Sequence, residues 1–364
     1  MPPLSIMIKP SSSLCNMRCK YCFYHSVADS REVKTFGLME RETAQNIIDK
    51  ALDFANGESI YFAFQGGEPL LSGLDFFENF VSYVKEKNTK KSIVNFSLQT
   101  NGTLINNDWA KFFKKNNFLI GLSLDGDKNA NLFRVDNDYR PTFNKVNEAS
   151  KILTNFGVDF NILIVATGYT AEHIESVFNY FKNKGIKFLQ FIPCLRPFND
   201  KSESELYMTV SQYESYLIRL FNLYVKSYVE GKYVSIRHFD NMVRLFLNQP
   251  CEQCGMQGHC SHQFVVEGNG NVYPCDFYCL DEWLLGNINA SDNFDTLAHS
   301  KLAIDFIKNS FNIKEECKAC PFYRVCRGGG CKRNREDRDY CLAYKSFFSK
   351  CLPLFRVFLG EKPR

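Results

Sequence analysis

The feature that most restricts the fold is a repeated alternation of short β-rich runs and amphipathic helical patterns from Ser5 to Ile192. Such an alternation is typical of βα units around a parallel sheet. Helical periodicity predicts helices near residues 40–56, 74–88, 106–116, 143–156 and 171–184. The runs with strand character are SIMIKP, SIYFAFQ, SIVNFSLQT, FLIGLSLD, VDFNILIVA and IKFLQFIP. The sequence therefore predicts an α/β fold with about six βα repeats, fewer than the eight of a complete barrel.

Polar residues and glycines follow the predicted strands, in the segments GGEP, TNG, SLDG and ATG. Parallel α/β proteins assemble their active sites at the carboxyl ends of their strands, because the connecting loops meet at that edge of the sheet. We therefore expect any binding or catalytic site to be built at these strand ends.

The last third of the chain has a different character, with 11 of the 15 cysteines lying at or after Cys251. There the βα alternation stops, and the pattern indicates a hairpin, QFVVEGNGNVYPC, with Gly-Asn-Gly at its turn. A small domain held together by metal is expected. We divide the chain into a barrel (1–195), a helical connector (196–250) and a cysteine-rich domain with a C-terminal helix (251–364).

The charge pattern argues against polyanionic partners, since 44 basic residues are interleaved with 40 acidic ones. We therefore expect no nucleic-acid partner. No run approaches the roughly 20 apolar residues of a membrane span, and the start MPPLSIMIKP lacks the pattern of a signal peptide. We expect a cytoplasmic protein without a membrane partner. Cysteines in that reducing compartment favour metal or redox roles over disulfides.

Three cysteines in the loop after the first strand, Cys15, Cys19 and Cys22, form a C-x3-C-x2-C motif. Three such thiolates can ligate three corners of a 4Fe-4S cluster, which leaves the fourth iron without a protein ligand. An open coordination position is where a substrate or cofactor binds. The alternative is a zinc knuckle or chance clustering, which the position at the mouth of the predicted barrel disfavours.

The motif, its place after the first strand and the partial barrel resemble the radical S-adenosylmethionine (SAM) superfamily. The resemblance implies a partial (β/α)6 TIM-like radical SAM barrel. It also implies that the free iron binds the amino and carboxylate groups of SAM. One electron from the cluster would then cleave SAM into methionine and a 5′-deoxyadenosyl radical, which abstracts a substrate hydrogen.

The segment Gln65-Gly66-Gly67-Glu68-Pro69 matches the GGEP motif of the same superfamily, which binds the methionine amino group of SAM. Without the resemblance it would be an ordinary strand-to-helix turn whose glycines let the backbone approach a ligand. The segment 129–141 looks shortened relative to the family, so the position of the arginine contact, Arg134, is uncertain by a few residues. The SAM contacts that the resemblance implies are Tyr21, Gly67, Glu68, Ser123, Arg134 and Leu195.

Eight distal cysteines provide two complete four-thiolate sets. The ligands alone allow zinc as well as iron-sulfur clusters. Their spacing resembles the SPASM domain, whose members carry two auxiliary 4Fe-4S clusters, and full ligation suits electron transfer. The implied first set is Cys254, Cys260, Cys275 and Cys331, and the second is Cys317, Cys320, Cys326 and Cys341.

The glycine run before Cys331 and the brief loop before Cys341 differ from the family pattern and leave the last ligand open. Four further cysteines are expected to be buried or half-buried free thiols. One of them, Cys251, competes with Cys254 as the first ligand. The four are Cys194, Cys251, Cys279 and Cys351.

An aspartate, Asp276, directly follows the predicted ligand Cys275. Its chemistry fits a turn residue as well as a proton acceptor. The stretch GMQGHCSHQFVVEGNGNVYPCDFY, however, is similar to the anaerobic sulfatase-maturating enzymes, in which the aspartate after the cluster cysteine is the base. Similar segments run over nearly the full chain, among them IKPSSSLCNMRCKYCFYHS, FAFQGGEP and NFSLQTNGTLI.

The resemblance implies oxidation of a Cys or Ser in an unfolded sulfatase polypeptide to Cα-formylglycine, with Asp276 as proton acceptor and an auxiliary cluster as electron acceptor. The implied partners are that polypeptide and an electron donor such as a flavodoxin or ferredoxin. Tyr24, Gln65 and Gln99 are expected to face the barrel mouth and contact the peptide. The alternatives are a SPASM-type maturase that forms thioether or carbon-carbon crosslinks in a ribosomally made peptide, and a non-enzymatic zinc or iron-sulfur module.

Overall fold

The computed structural model describes residues 4–198, 200, 202–337 and 339–360. These residues form two compact units. Unit 1 contains the described parts of 1–124, 133–160 and 262–306, and unit 2 contains those of 125–132, 161–261 and 307–364. Within the described ranges, no helix combines the length and the apolar character needed to cross a membrane.

The strands alternate with helices through the first 200 residues. In chain order the strands are β1 Leu4–Ile8, β2 Ile60–Phe64, β3 Val94–Thr100, β4 Phe118–Ser123, β5 Phe160–Ala166, β6 Phe188–Pro193, β7 Ser235–Ile236, β8 Phe264–Val266, β9 Asn271–Tyr273 and β10 Gly286–Asn287. The helices up to β7 are α1 Phe23–Asp29, α2 Arg41–Ala55, α3 Leu74–Lys87, α4 Asn107–Lys115, α5 Phe143–Asn155, α6 Gly168–Glu172, α7 Ile174–Asn183 and α8 Val210–Val229.

The remaining helices follow β7. They are α9 Arg237–Phe246, α10 Phe294–Ala298, α11 Lys301–Asn309, α12 Glu315–Lys318, α13 Tyr323–Cys326, α14 Lys332–Asp337 and α15 Cys341–Phe355. Single 3-10 turns include Pro69–Ser72 and Asp276–Tyr278.

In unit 1 the strand order is β10-β9-β8-β1-β2-β3-β4. Strands β8, β1, β2, β3 and β4 pair in parallel, whereas β9 pairs antiparallel with both β8 and β10. Parallel pairing places the carboxyl ends of β8, β1 and β2 at one edge of the sheet. The residues that follow these three strands are therefore neighbours in space.

Alternation along the strands explains the core of unit 1. Leu4, Ile6 and Ile8 of β1 are buried on one face, while Ser5 between them is exposed. The buried face packs under α2 and α3 through aromatic contacts such as Phe64 with Phe77, whose ring centroids lie 5.0 Å apart. Each buried phenylalanine contributes about 1.5–3 kcal/mol of transfer free energy. The sheet is therefore packed against helices on this face, whereas residues of the opposite face such as Ser5 are exposed.

Unit 2 contains β5, apart from its first residue, together with β6 and β7, which pair in parallel. Helices α8 and α15 pack against each other through aromatic rings, and the Phe221 and Phe355 centroids lie 4.5 Å apart. The Tyr213 and Tyr340 rings stack at 4.0 Å. Unit 2 therefore has a core of its own.

The predicted alternation agrees closely with the observed elements. Each of the six predicted strands is present, with ends shifted by at most two residues. The helix predicted over 171–184 is interrupted at His173 and forms α6 and α7. The pattern missed α1, which has no side-chain cap at its N-terminus, and the short helices α10 to α14 among the cysteines. Short helices carry little periodicity, so they depend on tertiary packing.

Candidate active site

The loop Cys15–Cys22 lies between β1 and α1 and is held by backbone hydrogen bonds on one side. The Arg18 N–H donates to the Val135 carbonyl at 2.8 Å, and the Lys20 N–H donates to the Phe133 carbonyl at 3.0 Å. These two bonds anchor the middle of the motif. The segment after β4 therefore positions the three cysteines.

The other side of the loop is held by the GGEP segment. The N–H groups of Gly67 and Glu68 donate to the carbonyls of Ser12 and Leu14, both at 2.8 Å. A Cβ atom at Gly67 would lie 2.0 Å from the Leu14 carbonyl oxygen, so only glycine fits. The GGEP segment is therefore a strand-to-helix turn that also supports the cysteine loop.

The Glu68 side chain is fully buried and links this turn to β3. Its carboxylate accepts hydrogen bonds from Thr100 Oγ1 at 2.8 Å, the Asn101 N–H at 2.8 Å and the Leu70 N–H at 3.1 Å. Burial raises the pKa of Glu68 to about 7, and these three donors oppose the rise. The carboxylate is therefore occupied within the protein, and the SAM contact predicted at Glu68 stays a prediction.

Substitution of Gly67 by alanine is expected to displace the cysteine loop. Because the new Cβ would collide with a backbone oxygen, we expect the free energy of unfolding to fall by about 1–3 kcal/mol, in the range of overpacking. Thermal unfolding and iron content after anaerobic reconstitution measure the two effects. Gly255→Ala is the matched control, since its Cβ would meet only Asn334 Nδ2 at an ordinary 3.7 Å. Equal stability and iron content in both variants would contradict the prediction.

Burial is the main influence on the thiols of the loop. Burial raises the pKa of Cys15 to about 12, and the charge of Glu68 adds to the rise. Burial also raises the pKa of Cys22. Iron would supply the positive charge that stabilises such buried thiolates, so the donor set fits an iron-sulfur cluster. No three His, Cys, Asp or Glu side chains among the described residues surround a single-ion position.

Asp276 is buried in the turn after β9, with only 5% of its surface exposed. Its Oδ2 accepts a hydrogen bond from the Tyr24 hydroxyl at 2.6 Å and another from Gln65 Nε2 at 2.9 Å. Gln65 Nε2 also contacts the Tyr24 hydroxyl. The Lys9 ammonium lies 3.0 Å from Oδ1. The residues predicted as a base and two peptide contacts therefore form one polar group.

Sheet topology brings this group together. Lys9 follows β1, Gln65 follows β2 and Glu267 follows β8, which are adjacent parallel strands. Tyr24 comes from α1, directly after the cysteine motif. Lys9 and Glu267 were not predicted from the sequence, where the only signal is a charged residue at the end of an otherwise apolar strand.

Two of the predicted SAM contacts are neighbours. The Arg134 guanidinium lies 5.4 Å from the centre of the Tyr21 ring, and the Tyr21 ring meets the Phe133 ring edge-on at 6.3 Å. The charge of Arg134 also acts to lower the pKa of Cys22, which burial raises. Ser123 ends β4 and is half-buried, and Gln99 is an exposed residue of β3. The assignment of all these residues to SAM or peptide stays a prediction.

Unit 2 brings distal cysteines together in two groups. Burial raises the pKa of Cys254 to about 12, with further contributions from the thiols of Cys331, Cys260 and Cys251. In the second group, burial raises the pKa of Cys326 to about 11, and the thiols of Cys341, Cys317 and Cys320 add to it.

Cys251 lies near Cys254, so the predicted competition between them remains open. Cys275 belongs to unit 1, and Leu195 follows β6 in unit 2. The other leftover thiols, Cys194, Cys279 and Cys351, are buried.

Comparison with known proteins relates this site to a family. A model of the Radical SAM superfamily matches residues 10–181, and a SPASM model, an iron-sulfur cluster-binding domain, matches residues 258–321. Both matches lie inside the predicted segments 1–195 and 251–364. The fold class predicted from the sequence, a radical SAM α/β fold followed by a SPASM domain, is therefore confirmed.

Curated relatives match along the whole chain. The cysteine-type anaerobic sulfatase-maturating enzyme of Clostridium novyi (strain NT) is 45% identical over 96% of this chain and 96% of its own length. The serine-type enzyme of Bacteroides thetaiotaomicron is 28% identical over 96% of this chain and 90% of its own length.

Among solved structures, native anSMEcpe with bound AdoMet and Cp18Cys peptide is 44% identical, with a TM-score of 0.93, over 99% of this chain and 100% of that chain. SuiB of Streptococcus suis bound to S-adenosylmethionine shares the fold, with a TM-score of 0.62 and 19% identity over 93% of this chain and 77% of that chain. The chain belongs to the anaerobic sulfatase-maturating enzymes of the radical SAM superfamily.

Proposed function

We propose that this protein oxidises an active-site cysteine of a sulfatase polypeptide to Cα-formylglycine and thereby activates the sulfatase. The observation that carries the proposal is the polar group of the buried Asp276 with the half-buried Tyr24 and Gln65, since Tyr24 lies on the helix that directly follows the cysteine motif. Cysteine as the substrate residue is supported by the 45% identity to cysteine-type relatives, against 28% to a serine-type one.

The residues present fit the cofactors of this family. Cys15, Cys19 and Cys22 would hold a 4Fe-4S cluster with one open iron for SAM. The SAM contacts would come from Tyr21, Gly67, Glu68, Ser123, Arg134 and Leu195. The two further 4Fe-4S clusters would be held by Cys254, Cys260, Cys275 and Cys331, and by Cys317, Cys320, Cys326 and Cys341.

When bound, SAM and the clusters supply abstraction of a Cβ hydrogen atom from the substrate and removal of one further electron. The protein's own task is then to accept the thiol proton of the substrate. The thioaldehyde so formed would be hydrolysed by water to the aldehyde, with release of hydrogen sulfide. Asp276 is a buried carboxylate of unit 1 whose charge acts on Cys22 of the cysteine loop, and Tyr24 and Gln65 both donate to its Oδ2. These donors orient the carboxylate as a proton acceptor.

The partners in this proposal are an unfolded sulfatase polypeptide and a one-electron donor such as a flavodoxin or ferredoxin. A reductant is needed because the family's chemistry starts with one-electron reduction of the cluster. The cytoplasm is the proposed compartment, since 15 cysteines without disulfides suit a reducing environment.

A peptide assay tests the function directly. The anaerobically reconstituted protein, given SAM, a chemical reductant and a peptide with a sulfatase cysteine motif, is expected to form an aldehyde that reacts with hydrazines. Mass spectrometry measures the product, and the same peptide with serine in place of cysteine tests the substrate preference, with a lower yield expected. Formation of 5′-deoxyadenosine without aldehyde, together with crosslinking of another peptide, would contradict sulfatase maturation and favour the crosslinking maturase.

A further inference from the structure

A second feature of unit 1 is a buried chain of alternating charges that ends at Asp276. The Lys9 ammonium lies 3.0 Å from Asp276 Oδ1 and 3.5 Å from Glu267 Oε1. Arg31 Nη1 donates to the same Glu267 oxygen at 2.7 Å. Lys9 and Glu267 are 2% and 1% exposed, and Arg31 is buried as well. Two carboxylates and two cations thus balance within the protein interior.

Within this row of charged side chains, Lys9 contacts both carboxylates. It directly follows β1, and its ammonium also donates to Cys279 Sγ at 3.3 Å and lies 4.7 Å from the centre of the Tyr24 ring. Burial by itself lowers the pKa of Lys9, but the negative charges of its partners outweigh burial and raise it above the ordinary value. Lys9 therefore remains a cation in the folded protein.

The two oxygens of Asp276 have different partners. Lys9 faces Oδ1, whereas Tyr24 and Gln65 donate to Oδ2. The Lys9 ion pair at Oδ1 gives the carboxylate a second point of attachment, and without it the carboxylate would be attached only through Oδ2 and could turn about its side-chain torsions. In addition, Asp276 and Glu267 would face each other without an intervening cation if Lys9 were removed.

We propose that Lys9 is the positioning residue of Asp276: its ammonium fixes the orientation of the carboxylate that accepts the thiol proton of the substrate. The inference rests on the proposed function, in which Asp276 accepts that proton. Lys9 is buried and acts through Asp276 instead of touching the substrate. Glu267 Oε1 lies 3.5 Å from the ammonium on its other side, and Arg31 binds that same Glu267 oxygen.

The test compares Lys9→Met with Arg31→Met. Both variants remove one cation from the same buried chain, but only the first removes a contact to Asp276. We expect Lys9→Met to lower kcat for aldehyde formation by about 10–100-fold, since a displacement near 1 Å at a reacting group costs about that much. The KM for the peptide and the iron content are expected to stay within about 3-fold of wild type.

The decisive measurement is the number of 5′-deoxyadenosine molecules formed per aldehyde. Lys9→Met is expected to raise this ratio about 10-fold, because hydrogen abstraction continues while proton transfer fails. Arg31→Met is expected to lose thermal stability and keep a ratio near that of wild type. A ratio unchanged in Lys9→Met, or raised equally in Arg31→Met, would overturn the positioning role.

A double variant distinguishes the loss of positioning from a loss of stability in Lys9→Met. Lys9→Met/Glu267→Gln removes one cation and one anion, so Arg31 and Asp276 remain as a balanced pair. We expect this variant to regain thermal stability while the ratio stays high, and recovery of the wild-type ratio would overturn the inference. Lys9→Arg, which keeps the charge, is expected to restore part of the coupling. Absence of aldehyde from the wild-type protein would overturn the proposed function itself, and this inference with it.

Discussion

Simultaneous substitution of Cys15, Cys19 and Cys22 by alanine is expected to abolish formation of 5′-deoxyadenosine and of aldehyde. No other side chain in this loop offers a thiolate, so a cluster with an open iron has no ligands there. Iron content after anaerobic reconstitution is expected to fall by about one third, because one of three clusters is lost. The measurements are iron analysis and chromatography of the SAM cleavage products.

Cys351→Ala is the matched control for this substitution. Cys351 is a buried thiol of α15 that belongs to neither predicted ligand set. The control is expected to keep its full iron content and SAM cleavage. Retained SAM cleavage in the triple variant would show that the motif does not bind the reactive cluster.

The second large effect is expected for Asp276→Asn. Asparagine keeps the size of the side chain but removes the charge that Lys9 meets and the capacity to take up a proton. We expect aldehyde formation to fall by about 100–10,000-fold, the usual contribution of a general base, while SAM binding and cleavage persist. Anaerobic turnover with the cysteine peptide measures both products in one sample.

The control is another carboxylate with a similar hydrogen-bonding shell. Asp240 in unit 2 accepts hydrogen bonds from the hydroxyls of Tyr224 at 2.8 Å and of Tyr233. Asp240→Asn therefore tests the loss of a tyrosine-bonded carboxylate that belongs to unit 2, and it is expected to keep wild-type coupling. If Asp276→Asn forms aldehyde at the wild-type rate, Asp276 is not the base.

Local patterns explain why so much of the fold was predictable. The alternation in β1 and the amphipathic repeat in α2 arise from the burial of one face, and this periodicity can be read within a few residues. Helix α1 is different, because it has seven residues and no side-chain cap. Its position depends on the loop bonds to Val135 and Phe133, which are remote in the chain.

The candidate site likewise has features that were predictable from the sequence and features that were not. The cysteine motif and the GGEP turn were identified from neighbouring residues, because their ligand spacing and their conformational demands are local. The brace between Gly67 and Leu14, and the occupation of the Glu68 carboxylate by Thr100 and Asn101, were not predictable. Both depend on which strand ends meet, and that is a property of the sheet.

The sequence by itself determined the α/β alternation, the cysteine spacing and, through resemblance, the part that Asp276 is proposed to play. Only the tertiary structure decided what surrounds that carboxylate. Lys9 and Asp276 are 267 positions apart in the chain, and the parallel pairing of β8 with β1 brings them within 3.0 Å. A charge buried in a protein needs a partner of opposite charge. Which residue becomes that partner depends on the tertiary fold and cannot be read from a local sequence pattern.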